Sequence, residues 1–277
     1  MTTPWLRGVA VAVTVAALLT GCSGDDAAPA PRPTSSAAPR TPDRPPAPPE
    51  AGSCHRLDYA TAVQPTAEDT TVPCRKPHTS RTIKVGRLRT AVDGHLLAVD
   101  AVRVRRQPAR YCAAAFDAAV GGSPEQRRLS MLAVASFSPS VEESDRGATW
   151  IRCDVVAVVE PERLGPLPAA VRGLLDTSQG RERFGMCGTA KPGTPDFSRV
   201  ACSQPHTWRA TASVDVPPGA KGGWPGAAKA QAAGKDRCTE AARANADDSL
   251  NYEWGFEWPD RMQWRSGRHY GICWAPA

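Results

Sequence analysis

Eight cysteines in two sets of four constrain this chain more than any other feature. The first set is Cys54, Cys74, Cys112 and Cys153, and the second is Cys187, Cys202, Cys238 and Cys273. The text around the second cysteine of each set recurs. Cys74-Arg-Lys-Pro77-His78-Thr79-Ser-Arg81 and Cys202-Ser-Gln-Pro205-His206-Thr207-Trp-Arg209 both read C-x-x-P-H-T-x-R. Pro139 stands 14 residues before Cys153, and Pro259 stands 14 before Cys273. Between them Gly147 matches Gly267 and Trp150 matches Tyr270, while Gly52 and Gly185 each stand two residues ahead of the first cysteine. Internal repetition decides architecture before local propensity does. The sequence reads as two tandem homologous domains, 52–162 and 183–277. The segment 163–182 joins them and carries a short helical pattern (Leu167, Val171, Leu174, Leu175).

Each repeat reads as a small α+β unit of order β-β-α-β-β. β-branched residues predict strands over 79–85 and 207–216. An Ala-rich helix follows. In the second repeat it is expected from Pro225, a favoured first-turn residue, to Asn245, with Cys238, Ala241, Ala242 and Asn245 on one face. In the first repeat it is expected to start near Leu96 and to kink or restart at Pro108, with Cys112, Ala115, Phe116 and Ala119 sharing a face. Tyr252, Trp254, Phe256 and Trp258 alternate with Glu253 and Glu257, the period of a half-buried strand. Its counterpart, 129–137, is apolar on both faces. A last strand carries Cys153 or Cys273.

The N-terminus reads as an address. Arg7 precedes an apolar run, Val9 to Leu19, too short to span a bilayer comfortably but suited to a signal peptide. The run ends in Leu19-Thr20-Gly21-Cys22, which resembles the lipobox of bacterial lipoproteins. The resemblance implies that residues 1–21 are removed and that Cys22 carries the acyl chains, with the rest of the chain outside the cytoplasm. Residues 22–51 read as a disordered tether. From Ser23 to Ala51 there are nine of the chain's 27 Pro and no Leu, Ile, Val, Met or aromatic residue. Such a segment cannot offset its ordering entropy. At roughly 3.1 Å per residue, a Pro-rich stretch of this length reaches up to ~90 Å.

The repeated frame also carries a family resemblance. Each half is similar to the septum formation-related domain of actinobacterial exported and lipid-anchored proteins. That domain has four spaced cysteines, a C-x-x-P-H motif at the second, an Ala-rich helix with the third and an aromatic, Gly-rich approach to the fourth. The resemblance implies a role in division-septum formation and no known catalytic activity. It weakens in the first half, where Ser144 and Ala148 replace Trp264 and Arg268. Four cysteines allow three pairings. Sequential pairing closes the shortest loops, so the expected bonds are Cys54–Cys74, Cys112–Cys153, Cys187–Cys202 and Cys238–Cys273. Each is worth roughly 3–4 kcal/mol on the loop-entropy view.

Little in the chain points to catalysis. The two C-x-x-x-H spacings look like half-sites for zinc, but an exported chain with paired cysteines favours disulfides, and no second His stands at ligand spacing. No G-x-S-x-G, H-E-x-x-H or S-x-x-K occurs. No metal, cofactor or catalytic residue is therefore assigned. Pro77-His78 and Pro205-His206 read as a structural motif, with both rings expected to be buried beside the first disulfide of their repeat and hydrogen-bonded within it. Trp is concentrated in the second repeat. Trp224, in a turn-rich loop, and Trp264 with Arg268 are candidate binding residues, for a sugar face or a protein partner. Arg103, Arg105, Arg106 and Arg110 form a local basic run suited to anionic lipid or wall polymer, or a merely solvated helix face. Nucleic acid is excluded by compartment. The chain thus reads as a lipid-anchored, extracytoplasmic, non-enzymatic binding protein of the cell membrane. Its expected partners are the membrane itself, envelope or division proteins, or wall polymer. The competing reading is a wall-glycan binder or envelope enzyme acting through the aromatic face of the second repeat.

Overall fold

Short β-branched runs separated by proline and glycine build two larger antiparallel sheets and one two-stranded hairpin. The computed structural model describes residues 44–277, so the leader, Cys22 and most of the tether lie outside the described residues. The N-terminal half runs β1 (Cys54–His55), α1 (Tyr59–Ala62), β2 (Thr71–Val72), β3 (Ser80–Arg87), β4 (Ala91–Val92), β5 (His95–Leu96), α2 (Val102–Arg105), α3 (Gln107–Val120), α4 (Pro124–Arg128), β6 (Leu132–Phe137), α5 (Val141–Asp145), β7 (Trp150–Glu160) and β8 (Arg163–Leu164). The remainder runs α6 (Ser178–Phe184), β9 (Met186–Gly188), β10 (Arg199–Ala201), β11 (Trp208–Asp215), α7 (Ala227–Ala232), α8 (Lys235–Asn245), β12 (Gly255–Glu257), α9 (Arg261–Arg265) and β13 (Tyr270–Pro276). No helix among the described residues is long and apolar enough to cross a membrane.

The two sheets have matching strand orders. The first is β2-β1-β3-β7-β6, with β8 added on β7, and the second is β10-β9-β11-β13-β12. The central pairs, β3–β7 and β11–β13, slip register at matching places, between Thr82 and Lys84 and between Ala210 and Ala212. The matching short helices α5 and α9 both open on a capping box, Ser140 with Glu143 and Asp260 with Gln263. Both are followed by a glycine at positive φ, Gly147 at 94° and Gly267 at 97°, a conformation that carries no steric penalty without a Cβ.

Disulfides join Cys54–Cys74, Cys112–Cys153, Cys187–Cys202 and Cys238–Cys273. Cys54 and Cys187 lie on β1 and β9, and their partners follow β2 and β10, so these bonds close an edge hairpin. Cys112 and Cys238 lie on α3 and α8, and these bonds pin each helix to the central strand it crosses.

Several local expectations differ from the structure. The first helix does not start near Leu96. Asp93 and Gly94 take left-handed conformations, φ 52° and 78°, and turn β4 into β5 as an Asp-Gly hairpin. Helix starts only at Val102 and restarts at Gln107, with Pro108 in its first turn. The second helix breaks at Gly234, and Asn245 is exposed, bonding the Ala241 carbonyl. The joining segment is not helical over Leu167–Val171, where Pro166 and Pro168 withhold amide donors. Its later part is helical, with a 3₁₀ turn at Leu174–Asp176 and the start of α6. The aromatic strand expected over 252–258 shrinks to Gly255–Glu257.

The halves are not separate bodies. Residues 43–277 form one compact unit. Its largest core draws Val120, Leu132, Val155, Leu175 and Phe184 together with Met186, Trp208, Ile272 and Trp274. Met131 N donates to Phe184 O and Met186 N to Leu129 O, 2.7 Å each, sewing the start of one sheet to the other. Glu125 Oε1 accepts from Ser213 N at 2.9 Å across the same junction. Residues 43–277 are therefore expected to unfold in one transition. Tryptophan fluorescence, weighted to the C-terminal half, should melt together with far-UV circular dichroism. Removing Cys238 and Cys273 together (both to Ala) should lower stability by roughly 4 kcal/mol on the loop-entropy view while keeping that coincidence. Two separated transitions would contradict the shared core.

Candidate functional site

The C-x-x-P-H-T-x-R text makes the same turn twice. His78 Nδ1–H donates to the Lys76 carbonyl at 2.8 Å, and His206 Nδ1–H donates to the Gln204 carbonyl at 2.7 Å. Each ring reaches back across Pro77 or Pro205 to satisfy a carbonyl. The next residue joins the sheet, Thr79 N to His55 O and Thr207 N to Gly188 O, 3.0 Å each. The motif thus sets where β3 and β11 begin to pair. The two environments differ from the expectation of equal burial. His78 is 2% exposed, with its carbonyl bonded by Leu167 N, and its Nε2 is buried without a partner. His206 is only half-buried, beside Cys187 and Cys202. Those three are the one potential metal-ligand group among the described residues. Both sulfurs are spent in a disulfide, so only the imidazole could coordinate.

A buried polar cluster sits inside the first sheet. Asp154, fully buried on β7, accepts from Ser80 Oγ at 2.6 Å, Thr82 Oγ1 at 2.8 Å and Arg152 Nη2 at 2.8 Å. Arg152 turns its other edge to Asp69, at 2.8 and 3.1 Å, and lies 4.6 Å from the Phe137 ring centroid. Asp69 Oδ2 is also 2.6 Å from His55 Nδ1, a close contact out of line for a hydrogen bond. His55 Nε2 faces Ser53 Oγ at 2.9 Å and Thr82 Oγ1 at 3.1 Å. Burial would raise the Asp69 carboxyl, but the His55 contact and the Arg152 hydrogen bonds outweigh it and hold the group at about 2. The same carboxylates push the Arg152 guanidinium up against the desolvation that would lower it.

Ser53, His55 and Asp69 have the order of a hydrolase triad, but their bonds are committed elsewhere. Ser53 Oγ donates to Glu50 O at 2.7 Å, and Thr82 Oγ1 donates to Asp154. The amides nearby are also in use, Gly52 N on Thr82 O and Thr82 N on Ser53 O. An activated nucleophile needs its proton on the base and free donors facing the reacting oxygen. Asp69 instead opens onto a shallow cleft of about 590 Å³ walled by Arg56, Asp58, Thr61 and Glu68.

The second sheet holds the matching positions with different chemistry. Strand pairing sets Gly188 opposite Trp208, as His55 lies opposite Ser80. It sets Ala210 opposite Trp274, as Thr82 lies opposite Asp154. Ile272 takes the place of Arg152. Trp274, fully buried, packs edge-on against Phe197 at 5.1 Å. One framework therefore holds an ionic interior in one sheet and an aromatic interior in the other.

The candidate binding residues sit near the α9 end of the second half. Trp264 is 6% exposed, lies tilted against the His269 ring at 4.2 Å and meets Trp224 edge-on at 5.7 Å. It packs with Val216 and Ala230 and presents no face to a ligand. Trp224 is half-buried against it. Arg268 stands where the first half buries Ala148. Its Nη1 is 3.8 Å from Glu257, which Arg199 already grips at 2.6 and 3.0 Å. Burial and the neighbouring Arg199 charge lower its pKa. Sequence reading missed the His55–Asp69–Arg152–Asp154 cluster. Its one local signal is two charges, Arg152 and Asp154, within the apolar run of β7.

The cluster yields a stability prediction. The folded Asp69 pKa of about 2 lies below its ordinary 3.8. Its contribution is complete above the ordinary value and is lost as pH falls through 3.8 towards 2, about 2 kcal/mol in all. Denaturant titrations between pH 6 and pH 2 should show that loss in the parent chain and not in Asp69→Asn. Arg152→Met should cost about 3–5 kcal/mol at neutral pH by leaving two buried carboxylates uncompensated. A neutral effect would show the cluster is not under ionic control.

A family model described as Septum formation matches residues 51–273. The match runs as one stretch through both halves, where the sequence reading set one copy of the domain in each. No curated protein and no solved structure matches the chain. With most of its length inside that one match, the chain belongs to the Septum formation family.

Proposed function

We propose that this protein is a lipid-anchored, extracytoplasmic binding protein of the cell envelope, built on a duplicated framework and serving septum formation without catalysis of its own. Family membership gives it a role related to septum formation. One observation carries the finer reading. Every cysteine among the described residues is in a disulfide, which leaves Cys22, at the end of Leu19-Thr20-Gly21-Cys22, as the ninth. Four disulfides suit an oxidising compartment. The matching strand orders, register slips and capped helices support the duplication. The committed hydrogen bonds around Ser53 and His55 support a binding rather than a catalytic role. The burial of Trp264 counts against stacking of wall glycan on that ring.

The test is to follow a fluorescently tagged full chain in dividing cells beside its Cys22→Ala variant. The parent chain should sediment with membranes and concentrate at division sites. Mass spectrometry should find acyl chains on Cys22, and the variant should leave the membrane fraction or remain unprocessed. Uniform membrane distribution would sink the septal part. An unmodified Cys22 would sink the anchor.

A further inference from the structure

Net positive charge is concentrated in one stretch of the chain. Residues 84–111 contain seven cations, Lys84, Arg87, Arg89, Arg103, Arg105, Arg106 and Arg110, against two carboxylates, Asp93 and Asp100. That is a net +5 where the whole chain carries +6. All seven cations are exposed. Tertiary contacts draw their segments together. Arg89 and Gln107 exchange two hydrogen bonds of 2.8 Å, which fixes the end of β3 beside the start of α3. Lys84 Nζ lies 4.8 Å over the Tyr111 ring, whose hydroxyl donates to Val85 O at 3.2 Å. Arg103 bonds Asp93 at 3.0 Å, holding α2 against the β4–β5 hairpin. Leu88, Val99, Val104 and Cys112 form the core beneath.

Two apolar side chains stand out among these charges. Leu96, in the hairpin, is 83% exposed, and Val102, the first residue of α2, is 65% exposed. Exposed aliphatic tips within a cation-rich stretch match a surface that is anionic outside and apolar just below. A wall polymer offers the charge but not the apolar layer. The Arg103–Asp93 bond is the one ion pair that the described residues give these seven side chains, so six are left for external phosphate.

We propose that this face docks on an anionic lipid bilayer, with Leu96 and Val102 entering the headgroup layer and the arginines contacting lipid phosphates. The proposal rests on the membrane-anchored reading for its setting. The two fail separately, because docking is measured on a chain without Cys22.

Residues 43–277, the compact unit with all four disulfides, would be sedimented with vesicles of phosphatidylglycerol in phosphatidylcholine, and with phosphatidylcholine alone. Binding is expected to the anionic vesicles only, with release at high salt. The combined variant Arg103→Gln, Arg105→Gln, Arg106→Gln and Arg110→Gln should weaken binding by roughly a thousand-fold, from the usual contribution of each cation at an anionic surface. A control losing the same charge at Arg172, Lys229, Arg261 and Arg265 should bind as the parent does. Leu96→Ser with Val102→Ser should lower binding without changing its salt dependence. Melting curves and intact mass would establish fold and disulfides in each variant. Equal loss in the control, or no binding to phosphatidylglycerol vesicles, would overturn the proposal. Binding to soluble anionic wall polymer but not to vesicles would overturn it in favour of the polymer.

Discussion

Cys153 and Cys273 lie at the same place on two central strands, and each ties that strand to the helix crossing it. The rest of the structure depends on this cross-link, because neither sheet buries much on its own. The helices are Ala-rich where they meet the sheets, with Ala115 on α3 and with Ala241 and Ala242 on α8. Small side chains bring helix and strand close but remove little apolar area from water. A covalent staple offsets that shortfall by restricting the unfolded chain. The second compensation is the merging of the halves. The largest core lies where β7, α6 and β13 contribute together, so apolar area too small for two domains becomes enough for one.

With topology secured this way, the two interiors differ in chemistry. Asp154 and Arg152 on one central strand correspond to Trp274 and Ile272 on the other, while strand order and register slip stay alike. The aromatic version shows that this framework does not need buried charge. A buried ion pair is commonly no more stabilising than well-packed apolar residues of similar volume. What the ionic version adds is direction. Asp69, far from β7 in sequence, is drawn to a single position by the guanidinium edge and by His55, which orders the loop between α1 and β2 that walls the cleft.

Legibility from sequence followed the range of the interaction. The recurring C-x-x-P-H-T-x-R text, the strands after it and the cysteine frame were readable, because each is a local pattern repeated at a fixed offset. The Asp93-Gly94 hairpin was also local, yet the apolar residues after it read as a helix start. Pro166 and Pro168 should have overruled the helical spacing of Leu167 and Val171. Those side chains are buried all the same, so the spacing reported burial rather than helix. The ionic cluster was not readable. Its members come from four separate segments, and only the sheet register brings His55, Ser80 and Asp154 together. Trp264 misled for a related reason. A tryptophan in a short polar helix looks exposed until His269 and Trp224 close over it.

The distribution of chemistry along the chain bears on how such a protein would work at an envelope. On the proposed reading of residues 22–51 as a tether from a lipid anchor, a Pro-rich stretch of that length reaches up to ~90 Å and bounds the zone open to the folded unit. Attraction between exposed charges and a membrane fades within about 8 Å at physiological salt. On that reading tether and basic stretch would act at different ranges, the tether setting how often the folded unit meets the bilayer and the basic stretch how long it stays and which way it points. The half carrying Trp224, His206 and the half-buried Arg268 has its cations spread among carboxylates rather than gathered in one run. On the proposed reading it is the part left to meet another component of the envelope. Because both halves share one core, the orientation imposed on the first is transmitted rigidly to the second.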